Sequence, residues 1–144
     1  MNFTKFSYTC AILSLLLSGC QSNSSQELLI ADIQDSWQVE YIQKRPVIDH
    51  SPTRFTFHQD GRITGNAGCN QFAASYTYKQ GRLQLSPVGA TRMFCESEAL
   101  NEQEMRFLQA LEQSKNLYIE EDLLHIIDAA GDLLIKASRQ ENAS

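Results

Sequence analysis

The chain has 144 residues, 42% of them hydrophobic and 20% charged, which suits one ordinary domain plus short ends and excludes a multidomain enzyme. Three Pro and seven Gly are too few for a collagenous or low-complexity chain, and no apolar run reaches the roughly 18 residues of a spanning helix. The formal net charge is −5, an acidic balance that argues against nucleic acid and anionic lipid surfaces as partners, since both reward a basic patch.

Residues 1–19 read as an export leader. Lys5 is their only charge, and Phe6 to Leu17 is mostly apolar but too short to cross a bilayer. The run Leu17-Ser18-Gly19-Cys20 resembles the cleavage site of a bacterial lipoprotein signal peptidase. That resemblance implies cleavage before Cys20 and acylation of its thiol, which anchors the chain to a membrane without spanning it. Gln21 stands where inner-membrane lipoproteins usually carry Asp, so the implied address is the outer membrane with the domain facing the periplasm. Removing Lys5 with the leader takes the net charge to −6. The small polar residues after Cys20 read as a flexible tether, and residues 20–34 are assigned to the lipidated cysteine and that tether.

In the remaining chain Trp37, Val39 and Tyr41 alternate with polar residues as in a half-buried strand, which Arg45-Pro46 is expected to stop. Phe55 and Phe57 alternate likewise, the turn Gln59-Asp60-Gly61 follows, and Ile63 starts a return strand. Tyr76 and Tyr78, the turn Gln80-Gly81, and Leu83 and Leu85 write a second hairpin. Pro87 to Cys95 reads as a loop. From Glu98 the period turns helical: Leu100, Met105, Phe107, Leu108 and Leu111 share a face, with Glu102, Gln103, Arg106 and Gln113 opposite and Ser97 as N-cap. Three strand signals follow, Leu117 to Glu120, Leu123 to Ile127 and Leu133 to Ala137, separated by turn residues. The fold class is therefore α+β, a curved antiparallel sheet of about eight short strands, a partial barrel, packed on one amphipathic helix. The domain is placed at residues 35–138, with 139–144 as a polar C-terminal tail.

Cys10 leaves with the leader and Cys20 is committed to lipid, so Cys69 and Cys95 remain as an even pair, for which a disulfide is the default in an oxidising compartment. Closing a loop of roughly 27 residues stabilises by about 3.5 kcal/mol in the chain-entropy treatment.

The segment Arg54 to Phe72, with its hairpin and Gly68-Cys69-Asn70, and the segment Ser86 to Cys95, followed by a helix carrying Glu104, Phe107 and Leu111, resemble the two motifs of the META domain, the HslJ-type heat-shock lipoprotein family. The resemblance covers most of residues 35–138 in the family's order. It implies a small α+β domain, and proteins of the envelope linked to stress or antibiotic tolerance without an assigned reaction.

Chemistry-bearing residues are few. Cys69 with His58 or His125 as base has the parts of a cysteine hydrolase, but a disulfide would consume the thiol. His50, His58 and His125 are scattered without ligand spacing, so neither a metal nor a cofactor is expected. Asn70, Thr91 and Arg92 lie in loops near the two cysteines and are the candidate recognition residues. The reading is a non-enzymatic envelope lipoprotein that binds an unknown envelope protein or ligand. Its alternatives are an inhibitor or pilot-type lipoprotein docked on one envelope protein and, less favoured, the hydrolase.

Overall fold

The structure is a computed structural model that describes residues 28–140. The leader, Cys20 and most of the expected tether lie outside the described residues, as does most of the C-terminal tail.

Among the described residues a short helix α1 (Ile30–Ile33) precedes β1 (Ser36–Ile42), β2 (Arg45–Pro46), β3 (Arg54–Phe57), β4 (Arg62–Asn66), β5 (Gln71–Lys79), β6 (Arg82–Leu85) and β7 (Gly89–Ala90). Helix α2 (Glu98–Gln113) follows, then β8 (Asn116–Glu120), β9 (Leu123–Ile127) and β10 (Leu133–Arg139). Eight strands run antiparallel in the order β10-β9-β8-β6-β5-β4-β3-β1, and β1 pairs back onto β10. The expected curved sheet thus closes into a barrel, which removes its long edges. The two-residue strands β2 and β7 add to β1 and β5. The loosest join is β6 to β8, a single bridge between Arg82 and Asn116 flanked by Leu83 N–H donating to Lys115 O and Leu117 N–H to Gly81 O.

Alternation places the core. Phe55, Phe57, Ile63, Phe72, Tyr76 and Leu83 point inward from successive strands, and Phe107, Ala110 and Leu111 of α2 fill the interior. Rings of Phe55 and Phe72 lie 6.3 and 5.4 Å from that of Phe107. Gly65, opposite Phe72 in the ladder, leaves space for that ring: a Cβ there would sit 2.9 Å from Phe72 Cε1 and 2.0 Å from Arg54 O. Ser97 caps α2 by accepting from Leu100 N–H.

Four expectations are corrected. Tyr41 is exposed and Ile42 buried, because a bulge between Val39 and Tyr41 shifts the pleat by one residue. Arg45-Pro46 is not what stops β1, which already ends at Ile42; the pair turns back onto it as β2. Gln43 and Lys44 take φ of +49° and +65°, the tight-turn conformation, and Pro46 sits on an edge where its missing N–H costs nothing. Met105 is 58% exposed, since it lies about 100° around the helix from 104 and further from 107, while Gln103, placed on the solvent face, is fully buried.

The fourth correction concerns the boundaries. Ile33, inside the stretch given to the tether, is fully buried and its carbonyl accepts from Trp37 Nε1 at 2.9 Å. At the other end Arg139 closes β10 opposite Trp37, stacks 4.6 Å over its ring, and Gln140 N–H donates to Ser36 O. Folded structure therefore begins before residue 35 and continues past 138.

Arg139 also pairs with Asp35. Partial burial works against the Asp35 charge, but the Arg139 hydrogen bond, then the Ser36 N–H and the guanidinium charge, outweigh it and hold the carboxyl below its ordinary value of 3.8. A depressed folded-state pKa gives stability that is present above the unfolded value and is lost as pH falls through the folded one. Asp35→Asn is expected to flatten this part of the acid limb of a stability-versus-pH curve below about pH 4, measured by urea unfolding. An unchanged acid limb would refute the latch.

Candidate functional site

Gly68, with φ of +141°, turns the chain between β4 and β5, and its N–H is held by Asn66 Oδ1 at 2.8 Å. The turn points the next two backbone amides at α2. There Glu104 accepts from Cys69 N–H at 2.8 Å with Oε2, from Asn70 N–H at 2.6 Å with the same oxygen, and from Asn70 Nδ2 at 2.6 Å with Oε1. Glu104 is 5% and Asn70 4% exposed, so these are charge-assisted bonds shielded from water.

The other side of the Asn70 amide reaches the loop between β7 and α2. Its Oδ1 accepts from Thr91 Oγ1 at 2.9 Å and from Met93 N–H at 2.6 Å. Thr91 Oγ1 also accepts from Gln71 N–H, and Thr91 N–H donates to Gln71 O. The Cys69–Cys95 disulfide fixes the loop a second time, with Cα atoms 6.0 Å apart, inside the range a bridge allows. Asn70 therefore links helix to loop, and the disulfide runs alongside.

This changes the roles of the three recognition candidates. Asn70 and Thr91 come together, but their polar atoms are spent on each other, on the Glu104 carboxylate and on the backbone, so they position the loop. Arg92 is exposed, and no hydrogen bond or ion pair holds it among the described residues. The loop also presents Met93, 63% exposed, and Phe94, 93% exposed. Sequence reasoning left out these two, although an apolar pair inside a polar loop between a recognition residue and a bridged cysteine was a visible signal.

The remaining chemistry is dispersed. His58 Nε2 bonds Thr64 Oγ1 at 2.7 Å, His125 stacks on Tyr118 at 4.7 Å, and His50 occupies a loop turn at φ +58°. None of the three bonds Cys69. The sulfurs of Cys69 and Cys95 and a Glu104 oxygen lie within 4.8 Å of one another, but the sulfurs share a bond and both Glu104 oxygens accept N–H groups.

A second buried polar group fastens α2 elsewhere. Gln103 accepts from Ile48 N–H at 2.7 Å and donates to Ser51 Oγ and Thr53 Oγ1. Glu104 and Gln103 are thus polar residues in helix positions facing the barrel, each with its bonds met inside.

The profile of the META domain matches residues 29–141. The chain belongs to the META domain family. It is 27% identical over 126 residues, 86% of its own length and 89% of the relative's, to a protein named Heat shock protein HslJ from Escherichia coli (strain K12). A protein from Burkholderia xenovorans solved by NMR shares the fold with TM-score 0.64 at 20% identity, over 97% of this chain and all of that one. Another protein solved by NMR shares the fold with TM-score 0.58 at 23% identity over 73% of this chain and 89% of that one.

Proposed function

We propose that this META-family chain is a non-enzymatic lipoprotein of the bacterial envelope, anchored in the outer membrane through Cys20 with its barrel facing the periplasm. It supports envelope integrity under stress or antibiotic challenge by binding another envelope component through the loop at residues 91–95. The carrying observation is that this loop is fixed twice, by the Asn70 amide and by the disulfide, while Arg92, Met93 and Phe94 face solvent. An exposed aromatic beside a guanidinium on a fastened loop is the composition of a binding hot spot, because little loop freedom is lost on contact. The relative's printed name, a heat shock protein, supports the stress half of the reading.

The anchor and the loop are tested together in intact cells. Cys20→Ala is expected to leave an unprocessed, unlabelled precursor, and normal lipid labelling of the variant would sink the anchor. A photo-crosslinker at position 94 is expected to capture a discrete envelope component that one at position 54 does not. A single stoichiometric protein would favour the inhibitor or pilot role, and identical patterns at both positions would overturn the loop as a binding element.

A further inference from the structure

Lys79 and Arg82 stand directly opposite each other across the β5–β6 hairpin, on its outer face. Arg82 in turn bridges to Asn116 of β8, next to Lys115. Lys115 lies just before β8 and lines the same concavity as Arg82, so three exposed cations from three neighbouring chain segments gather in a short row at this end of the sheet, where adjacent strands are only about 4.8 Å apart. Like charges directly opposite in a sheet are destabilising. No carboxylate relieves them: the ion pairs among the described residues involve Lys44, Arg62 and Arg139 instead. Asp128, which precedes Ala129 at the edge of this region, accepts with Oδ1 from the N–H groups of Ala130 and Asp132 and pairs with none of the three cations. The row lines two adjoining concavities of about 510 and 290 Å³ that share Arg82 and Gln84.

The place of the row in the molecule says what would cover it. Tyr78, the residue before Lys79, donates its hydroxyl to Leu28 O, so the chain arriving from the N-terminus enters the domain beside this hairpin end. Leu29 and Ile30, the next two residues, are 63% and 45% exposed, which leaves apolar side chains at the same entry. Only residues 21–27 separate Cys20 from Leu28, and seven extended residues span at most about 25 Å.

We propose that Lys79, Arg82 and Lys115 form a headgroup site that seats this end of the barrel on the phosphates of anionic lipids in the bilayer holding Cys20. The inference rests on the lipid-anchor reading for its geometry. The charge of −6 on the chain without its leader opposes an anionic surface, but screening over about 8 Å makes the local row, and not the distant carboxylates, what the surface meets. Tethering makes the contact intramolecular, so a weak site suffices. Arg82, which lines both concavities, supplies paired donors from its fork to a phosphate, with Lys79 in one concavity and Lys115 in the other.

The test uses the unacylated mature chain, residues 20–144 with Cys20→Ser, so that its outcome does not depend on acylation. Flotation is measured with phosphatidylcholine vesicles, alone and with one third phosphatidylglycerol, at millimolar lipid. Binding is expected only to the anionic vesicles and to fall steeply with salt. Each cation near such a surface is worth roughly five-fold, so Lys79→Gln/Arg82→Gln/Lys115→Gln should weaken partitioning by about a hundredfold. Arg54→Gln, on β3, and Lys79→Arg/Lys115→Arg should bind as the parent does, and unchanged far-UV melting keeps misfolding out of the comparison. Equal binding by the triple variant, or no binding to anionic vesicles, overturns the site and leaves the Cys20 anchor untouched. Soluble glycerol phosphate that binds the parent at millimolar concentration and displaces it from vesicles would show a free-phosphate site and overturn the lipid one.

Discussion

Phe107→Ala is expected to destabilise the domain by about 3 to 5 kcal/mol, measured by urea unfolding, the range for emptying a fully buried aromatic site. Phe107 is 0% exposed and touches rings from two different strands, Phe55 on β3 and Phe72 on β5. The cavity cannot collapse easily, because a closed barrel holds those strands apart and Gly65 offers no side chain to fill the space. Met105→Ala, two residues away on the exposed side, should change stability by no more than about 0.5 kcal/mol. A loss at Phe107 below about 1 kcal/mol would mean that α2 does not plug the barrel.

Patterns of period two and 3.6 carried most of this architecture. Both aromatic hairpins, the Ser97 cap and β9 stand where alternation and turn residues put them. Closure was not legible, because it depends on β1 meeting β10, a pairing between the two ends of the domain that no local signal encodes. The bulge in β1 was equally silent, since Val39, Tyr41 and Ile42 are all residues that fit a pleat. Within the site, the cysteine pair was readable from compartment and count. Glu104 was readable only in part: it falls in the slot between Leu100 and Phe107 on the apolar stripe, where a carboxylate is out of place unless it has buried donors. Two of its three donors are the backbone amides of Cys69 and Asn70, presented by a positive-φ glycine, and backbone groups leave no mark on a sequence.

The row of cations and the exposed loop lie at opposite ends of β5, which runs from Gln71 beside Asn70 to Lys79. The eight steps from Gln71 to Lys79 at about 3.3 Å each place the two ends about 26 Å apart. On the two proposals taken together, a domain seated on a membrane at Lys79 would hold Phe94 well away from that membrane, where the proposed partner meets it. The two proposals are independent in their tests but compatible in space.

Glu104→Gln is expected to cost about 3 kcal/mol, although it changes one atom and keeps the shape. The carboxylate takes three N–H bonds, and charge-assisted bonds contribute about 1.5 to 3 kcal/mol each when buried. A glutamine amide has one acceptor oxygen. If that oxygen serves the Cys69 and Asn70 backbone, its NH₂ meets the Asn70 Nδ2 donor head-on. Asn70 can then only turn its amide over, which removes Oδ1 from Thr91 and from Met93 N–H and releases the loop from its polar fastening. The disulfide still holds Cys95, so in the parent background part of the loss is masked. In a Cys69→Ala/Cys95→Ala background nothing substitutes for the amide, and the same replacement should cost more. Residues sharing one network couple by about 0.5 to 3 kcal/mol, which is the excess expected when urea unfolding is compared across the four chains. Protease cleavage near Phe94 should rise in parallel. Additive losses, or a penalty at Glu104 below about 1 kcal/mol, would mean that the helix does not position the loop and that the disulfide alone does.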